Sequence, residues 1–233
     1  MHIKIIAIVP ARSGSKGFPN KNIAVLKEKT LIELAVKLAV DSMEVDDVYI
    51  STDSPDYERI AINAGAKSLG LRSEELSSEF AKTIDVIIDF LSKGPKDFDY
   101  VLLLQPTSPV RSLEDIKNIV RIIEENDCNS VVSVTKLNEP HPFKLKKITK
   151  SGYLSSFIEG KSSEIPRQLL PECYSLNGAF YLINKDVLLE KESFFTGKTM
   201  PYVMKHKINI DSEEDFLFLK SMVENGKVTI YGI

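Results

Sequence analysis

Cationic side chains crowd the first loop of the chain. Residues 1–27 contain no acidic residue, in a protein whose formal net charge is -3. The same stretch carries the cations Lys4, Arg12, Lys16, Lys21 and Lys27. A glycine-bearing loop presents backbone N–H groups to phosphate oxygens, to which arginine adds a planar fork and lysine a mobile point charge. The segment ARSGSKGFPNKN therefore predicts a site for an anion, and specifically for a polyanion.

The glycine spacing separates this loop from two common phosphate-binding loops. Its pattern, G-S-K-G at residues 14–17, is neither GxGxxG nor GxxxxGK[ST]. Pro19 and Asn22 follow, so no helix begins directly after the loop, and backbone N–H groups with side-chain cations would hold the phosphates in place of a helix dipole. The alternative is a solvated loop whose cations only maintain solubility. Its position after an apolar run favours the phosphate site.

Apolar patterning predicts the elements that position this loop. Strand-length apolar runs, typical of strands buried on both faces, occupy residues 3–9, 45–52 and 99–105. Apolar residues at three- and four-residue spacing predict helices over residues 30–42, 77–92 and 112–126. Thr30 is the expected N-cap of the first helix, and Ser112 with Asp115 the expected capping box of the third. This alternation predicts an α/β fold with a doubly wound, mostly parallel sheet, whose ligands sit at the carboxyl ends of the strands.

The second half of the chain is less regular. Residues 137–175 contain four prolines and short alternating stretches, yet keep apolar residues throughout. We interpret them as an inserted, β-rich lobe. Strands at 179–184 and 201–210 and a helix at 212–225, capped by Ser212, would complete the core.

Composition narrows the class of protein. Without a basic excess the chain does not resemble a general nucleic-acid binder. Cys128 and Cys173 are far apart and in no CxxC pattern, which disfavours a disulfide framework or a zinc site. The apolar run 3–10 is too short to cross a bilayer. We therefore expect a cytoplasmic protein with neither a nucleic-acid nor a membrane partner.

Five motifs occur in the order PARSGSKGFPNKN, STD, LLQPTSPVR, PRQLLPECYSLNGAFYLI and NIDSEEDF. In this order they resemble the acylneuraminate cytidylyltransferases, and the resemblance covers nearly the whole chain. It implies a nucleotide-diphospho-sugar transferase-like fold, formed by a single domain over residues 1–233 with a dimerisation lobe at 137–175. It also implies a homodimer that joins CTP and a nine-carbon 2-keto sugar acid into CMP-sugar and pyrophosphate, with Mg²⁺.

The resemblance assigns roles at the nucleotide. Catalysis would fall to Arg12, Lys21 and Asp211, because nucleotidyl transfer needs positive charge around the α-phosphate while pyrophosphate leaves. The CTP-binding set would be Arg12, Ser15, Lys16, Lys21, Asn22, Arg72, Ala81 and Thr83, with Lys16 at the outer phosphates. Metal binding would fall to Asp211 and Asn209. The family typically has Asp-Ile-Asp where this chain has Asn-Ile-Asp, so one acid is replaced by an amide; Asp53 is an alternative acid.

The resemblance also assigns a sugar-binding set: Gln105, Lys144, Arg167, Asn177, Tyr181, Phe194 and Phe195. Arginine can bind a sugar carboxylate through two parallel hydrogen bonds. Apart from the resemblance, Lys144 and Arg167 are indistinguishable from surface charges, and the Phe pair from core residues.

Three alternatives remain at the level of sequence. The sugar could be sialic acid, legionaminic acid or another 2-keto-3-deoxy acid, and SGSKG favours the first two. Because of Asn209, the chain could instead be a non-catalytic CTP-binding regulatory module. A glycosyltransferase on the same sheet would need an Asp-x-Asp motif, which STD followed by SPD does not supply.

Overall fold

The computed structural model describes residues 3–233. The strands are β1 Ile5–Pro10, β2 Val25–Leu26, β3 Lys29–Thr30, β4 Asp47–Ser51, β5 Lys67–Ser68, β6 Tyr100–Leu103, β7 Ser130–Lys136, β8 Lys146–Ile148, β9 Leu154–Ser156, β10 Tyr174–Asn184 and β11 Thr199–Met204. The helices are α1 Leu31–Val40, α2 Pro55–Asn63, α3 Thr83–Lys93, α4 Leu113–Glu125, α5 Lys185–Lys191 and α6 Glu213–Glu224.

A seven-stranded sheet forms the centre of the molecule, in the order β11-β7-β10-β6-β1-β4-β5. Strand β1 pairs in parallel with β4 and β6, β4 with β5, and β7 with β11. Only β10 runs against its neighbours in this sheet, β6 and β7. The predicted α/β fold with a mostly parallel sheet is thus confirmed.

Strand β1 shows why this sheet needs a near-continuous apolar run. Ile5, Ala7 and Val9 belong to one buried cluster, with side chains of α1, α2 and α4. Ile6 and Ile8 belong to a second cluster, with side chains of α3 and α5. Because successive side chains of a strand point to opposite faces, helices cover both faces of β1 and leave no room for a polar residue.

Local signals set the helix starts as predicted. Thr30, Ser112 and Ser212 each cap a helix, and each forms a complete capping box with an acid three residues on. Three predicted boundaries are wrong by more than three residues. Strand β10 begins at Tyr174, not at 179. Helix α3 begins at Thr83, not at 77, because residues 75–77 form a separate 3-10 turn. Strand β11 ends at Met204, not at 210, because the following chain leaves the sheet.

That departing segment carries the site's acid. Ile208 and Ile210 are buried with Phe216 of α6 in a third apolar cluster, and the Ile210 N–H donates to the Thr107 carbonyl at 2.8 Å. Phe18 of the cationic loop packs on Phe216, with ring centroids 5.6 Å apart. The cluster therefore fastens the segment that ends in Asp211 beside the cationic loop.

Of the lobe predicted at residues 137–175, residues 137–173 connect β7 to β10, and the last two residues belong to β10. The lobe contains the two-stranded sheet β8-β9, separate from the central sheet. Several of its large apolar side chains are exposed, among them Ile148, Tyr153, Leu154, Phe157 and Leu169. Over residues 3–233, none of the helices combines the length and apolarity that a membrane crossing needs.

Candidate active site

A cleft of about 350 Å³ opens where β1 and β6 end, at the edge predicted to bind ligands. It brings together residues from four separate parts of the chain. Those predicted from sequence are Arg12, Ser15, Lys21, Asn22, Arg72, Ala81, Thr83, Gln105, Asn209 and Asp211. Of the predicted CTP-binding set, only Lys16 lies outside the lining.

The cationic loop is held in shape by its neighbours. The Asp53 carboxylate accepts hydrogen bonds from the Ser13 N–H at 2.8 Å and the Ser13 hydroxyl at 2.9 Å. The buried Asn22 amide donates to the Arg12 carbonyl at 3.0 Å. A Cβ on Gly17 would come within 2.9 Å of the Asp211 carbonyl, so only glycine allows this approach. Asp53 and Asn22 therefore stabilise the conformation of the cationic loop.

Lys21 is the most firmly positioned cation of the cleft. Its ammonium lies 3.0 Å from Asp211 Oδ1 and 3.1 Å from the Ile210 carbonyl, and its side chain is only 19% exposed. Lys16 differs, because its ammonium pairs with Glu79 at 2.7 Å and its side chain is 75% exposed. Lys16 would have to exchange Glu79 for a phosphate to act as predicted.

Two arginines add positive charge to the lining of the cleft. Burial lowers the pKa of Arg72, and the neighbouring Arg12 charge lowers it further, while Asp53 raises it. Like charges are held this close only at some cost, which a bound anion would offset. Three cations, Arg12, Lys21 and Arg72, thus line the cleft with one carboxylate, Asp211.

Asp211 and Asn209 form one hydrogen-bonded network. Asn209 Nδ2 donates to Asp211 Oδ2 at 2.7 Å. Asn209 Oδ1 accepts from the hydroxyls of Thr107 at 2.9 Å and Ser108 at 3.1 Å. The amide thus orients the carboxylate and directs its own oxygen away from it. Asn209 could ligate a metal through Oδ1 only if its side-chain amide flipped.

The residues present fit a magnesium ion. Mg²⁺ commonly binds one or two carboxylates together with substrate phosphates and water. Asp211 is exposed and lines the cleft with the cations, and its carboxylate would exchange the contact with Lys21 for the ion. Asp215, close by, is already engaged, since its Oδ2 accepts from the N–H groups of Asp211 and Ser212, and these hydrogen bonds lower its pKa.

A second cavity, of about 440 Å³, adjoins the cleft and shares Gln105, Asn209 and Asp211 with it. Of the predicted sugar-binding residues, Gln105, Asn177 and Tyr181 line it. Asn177 is 3% exposed, and its amide bonds to Ser133, Thr135 and the Ala179 N–H. Its side chain fixes the irregular part of β10 and has little left for a ligand.

The other predicted sugar residues lie elsewhere. Phe194 packs against Tyr181, with ring centroids 5.1 Å apart, whereas Phe195 is 53% exposed. Arg167 lines a separate cavity in the lobe, 3.8 Å from Glu139, and Lys144 is exposed in the same lobe. Neither lobe cation lines the cleft or its neighbour within one chain.

Lys207, the lysine that lines the second cavity, is not among the residues predicted from the sequence. The spacing of the polar residues in this segment could have identified Lys207. Lys207, Asn209 and Asp211 alternate, so an extended chain points all three to one side. The expectation of a continuous strand through residue 210 hid this segment's role.

Comparison with known proteins gives consistent results. The family model described as cytidylyltransferase matches residues 6–225. An N-acylneuraminate cytidylyltransferase of Streptococcus agalactiae is 36% identical over 219 residues, covering 92% of this chain and 52% of that protein. A CMP-N,N'-diacetyllegionaminic acid synthase of Legionella pneumophila is 34% identical over 228 residues, covering 95% of this chain and 97% of that protein. The chain thus spans about half the length of the streptococcal relative.

Among solved structures, a CMP:2-keto-3-deoxy-manno-octonic acid synthetase complexed with CTP superposes with a TM-score of 0.71. The alignment covers 96% of this chain and 99% of that one, at 16% identity. At that identity the likeness supports the fold alone.

Proposed function

The chain belongs to the cytidylyltransferase family, and we propose that it transfers the CMP group of CTP to a nonulosonic, sialic-type acid, releasing pyrophosphate. The observation that carries this proposal is the cleft itself. It combines the cationic loop, an uncharged wall at Ala81 and Thr83, and Asp211, and it opens into a second cavity large enough for a sugar.

The two cavities suggest how the substrates would lie. The triphosphate would occupy the side lined by Arg12 and Lys21, and the cytosine the side lined by Ala81 and Thr83. The sugar acid would occupy the second cavity, with Gln105 at the boundary between the two. This arrangement would bring the sugar's 2-hydroxyl to the α-phosphate.

In the proposed reaction the 2-hydroxyl oxygen bonds to the α-phosphorus. The bond from that phosphorus to the bridging oxygen breaks, pyrophosphate leaves with the electron pair, and the hydroxyl proton is released. Lys21 and Arg12 would stabilise the charge that develops on the phosphate oxygens, and the contacts that hold Lys21 in place would limit its reorganisation during the reaction. Lys16 would follow the departing pyrophosphate after releasing Glu79.

Asp211 would hold Mg²⁺, with Asn209 orienting the carboxylate. The ion would neutralise part of the charge on the phosphates when bound. The salt bridge with Lys21 holds the Asp211 carboxylate at the cleft.

Within one chain, Lys207 is the cation best placed for the sugar carboxylate, because it lines the second cavity. Lys144 and Arg167 would reach a sugar only across a subunit boundary. The exposed apolar side chains of the lobe support a homodimer formed through that lobe, in which each subunit offers these two cations to the other's site.

The proposal is tested by pyrophosphate release with CTP and Mg²⁺. N-acetylneuraminic, legionaminic, pseudaminic and 3-deoxy-octulosonic acids are supplied in parallel, because the relatives differ in the acid they name. Release with one acid supports the transferase and identifies the substrate by its kcat/KM. Silence with all four, in a folded chain that binds CTP, favours the non-catalytic module.

A further inference from the structure

A cavity outside the two just described has the character of an anion site. Its volume is about 370 Å³, and it opens between the start of α4, the end of β11 and residues 227–229. The side chains that matter here are Arg111, Asp115, Tyr202, Lys205, His206 and Lys227. No residue assigned to CTP or the sugar lines it.

Arg111 is buried without a counter-ion. The residue is 3% exposed, its Nη1 donates to the Ala179 carbonyl at 3.1 Å, and its Nε has no acceptor among residues 3–233. Burial lowers the pKa of Arg111 to about 9, although the charge of Asp115 raises it. A buried guanidinium that lacks an anionic partner is costly to maintain.

The one carboxylate at this cavity is already engaged. Asp115 Oδ2 accepts from the N–H and hydroxyl of Ser112, at 2.7 and 2.8 Å, in the capping box of α4. Its Oδ1 accepts from the Tyr202 hydroxyl at 2.7 Å. Asp115 therefore serves the helix and Tyr202, and forms no salt bridge with Arg111 within the described chain.

Two exposed lysines complete the cationic lining. Lys205 follows β11 and Lys227 follows α6, and neither forms a salt bridge with any acid of residues 3–233. With Arg111 they place three positive charges around the single charge of Asp115. The remaining positive charge matches a dianion.

We propose that this cavity binds a phosphate group in its dianionic form, either free or as a small monoester. Arg111 would supply the buried planar fork, and Lys205 and Lys227 would approach from the rim. The cavity is of a size that accommodates a small organic molecule, so an ester fits as well as free phosphate. The site is independent of the proposed reaction, and so is its test.

The test follows the ring signals of His206 by NMR, because His206 lines the cavity and reports locally. Inorganic phosphate is titrated into the full chain, with glycerol 3-phosphate as a second arm, and His206→Gln assigns the signals. The double variant Lys205→Ala/Lys227→Ala removes the rim. Lys21→Ala is the matched control, since it removes a cation from the cleft and leaves this cavity intact.

We expect saturable shifts in the wild-type protein and in Lys21→Ala, and their loss in the double variant. The arm that saturates at the lower concentration decides between free phosphate and an ester. Absence of a saturable shift with either probe in the wild-type protein overturns the proposal. So does a shift that persists in the double variant, or one that disappears in Lys21→Ala, which would trace the signal to the cleft. Backbone NMR spectra of each variant verify that the fold is retained.

Discussion

Replacing Lys21 with alanine tests the assigned chemistry most sharply among single substitutions. The ammonium is held at 3.0 Å by Asp211 and at 3.1 Å by the Ile210 carbonyl, so the wild-type protein pays little to position it during reaction. Removing one such fixed donor from a developing oxyanion costs about a hundred- to a thousand-fold in kcat, or about 3–4 kcal/mol. The folded state should lose at most ~1 kcal/mol, because Asp211 is 71% exposed and surface ion pairs contribute little.

The assay is steady-state pyrophosphate release, with CTP and the sugar acid varied separately. We expect kcat to fall while the KM for the sugar acid stays close to the wild-type value. Lys117→Ala, on the exposed surface of α4, is the matched control for loss of a lysine charge and should behave like the wild-type protein. A Lys21→Ala variant with near-normal kcat would refute the role assigned to this residue.

Three further substitutions test other parts of the account. Lys207→Ala should raise the KM for the sugar acid and leave that for CTP unchanged, because Lys207 lines only the second cavity; equal changes in both would contradict the assignment. Gly178 has a φ of 75°, and a Cβ added there would lie 2.7 Å from Gln105 Oε1. Gly178→Ala should therefore lower the free energy of unfolding, measured in urea, by about 1–3 kcal/mol. An unchanged unfolding midpoint would contradict the strain argument. Burial and Asp115 raise the pKa of Tyr202 from 10.0 to about 12, so between pH 10 and 12 the folded protein keeps a proton that the unfolded chain has lost. The free energy of unfolding should therefore fall as the pH rises from 10 to 12. This fall should be smaller in Tyr202→Phe, and an equal fall would argue against the contact with Asp115.

Features of the fold that depend on neighbouring residues could be predicted from the sequence. A capping residue and its acid lie within one turn, so the starts of α1, α4 and α6 could be predicted from a few neighbouring letters. The site's position followed from a general property of parallel sheets, which gather the ends of distant strands at one edge.

Features that depend on distant contacts were not predictable. Ile208 and Ile210 alternate as in a strand, but they pack in an apolar cluster with α6 and lie outside the central sheet. Lys207 belongs to the same segment and therefore lies outside the sheet as well. Lys16 stands among phosphate-binding cations in sequence, yet it pairs with Glu79, which lies 63 residues away. The burial of Arg111 likewise depends on contacts with distant strands, such as its hydrogen bond to Ala179 in β10. The sequence around residue 111 does not predict these contacts.

The central claim is that this chain moves a cytidylyl group from CTP to a sugar acid. It is tested most directly by CTP labelled at the α-phosphorus, incubated with Mg²⁺ and the acid that releases most pyrophosphate. The account predicts that the label appears in a CMP-sugar and that the released pyrophosphate is unlabelled. Label that remains in CTP, or that appears only in free CMP, would contradict it.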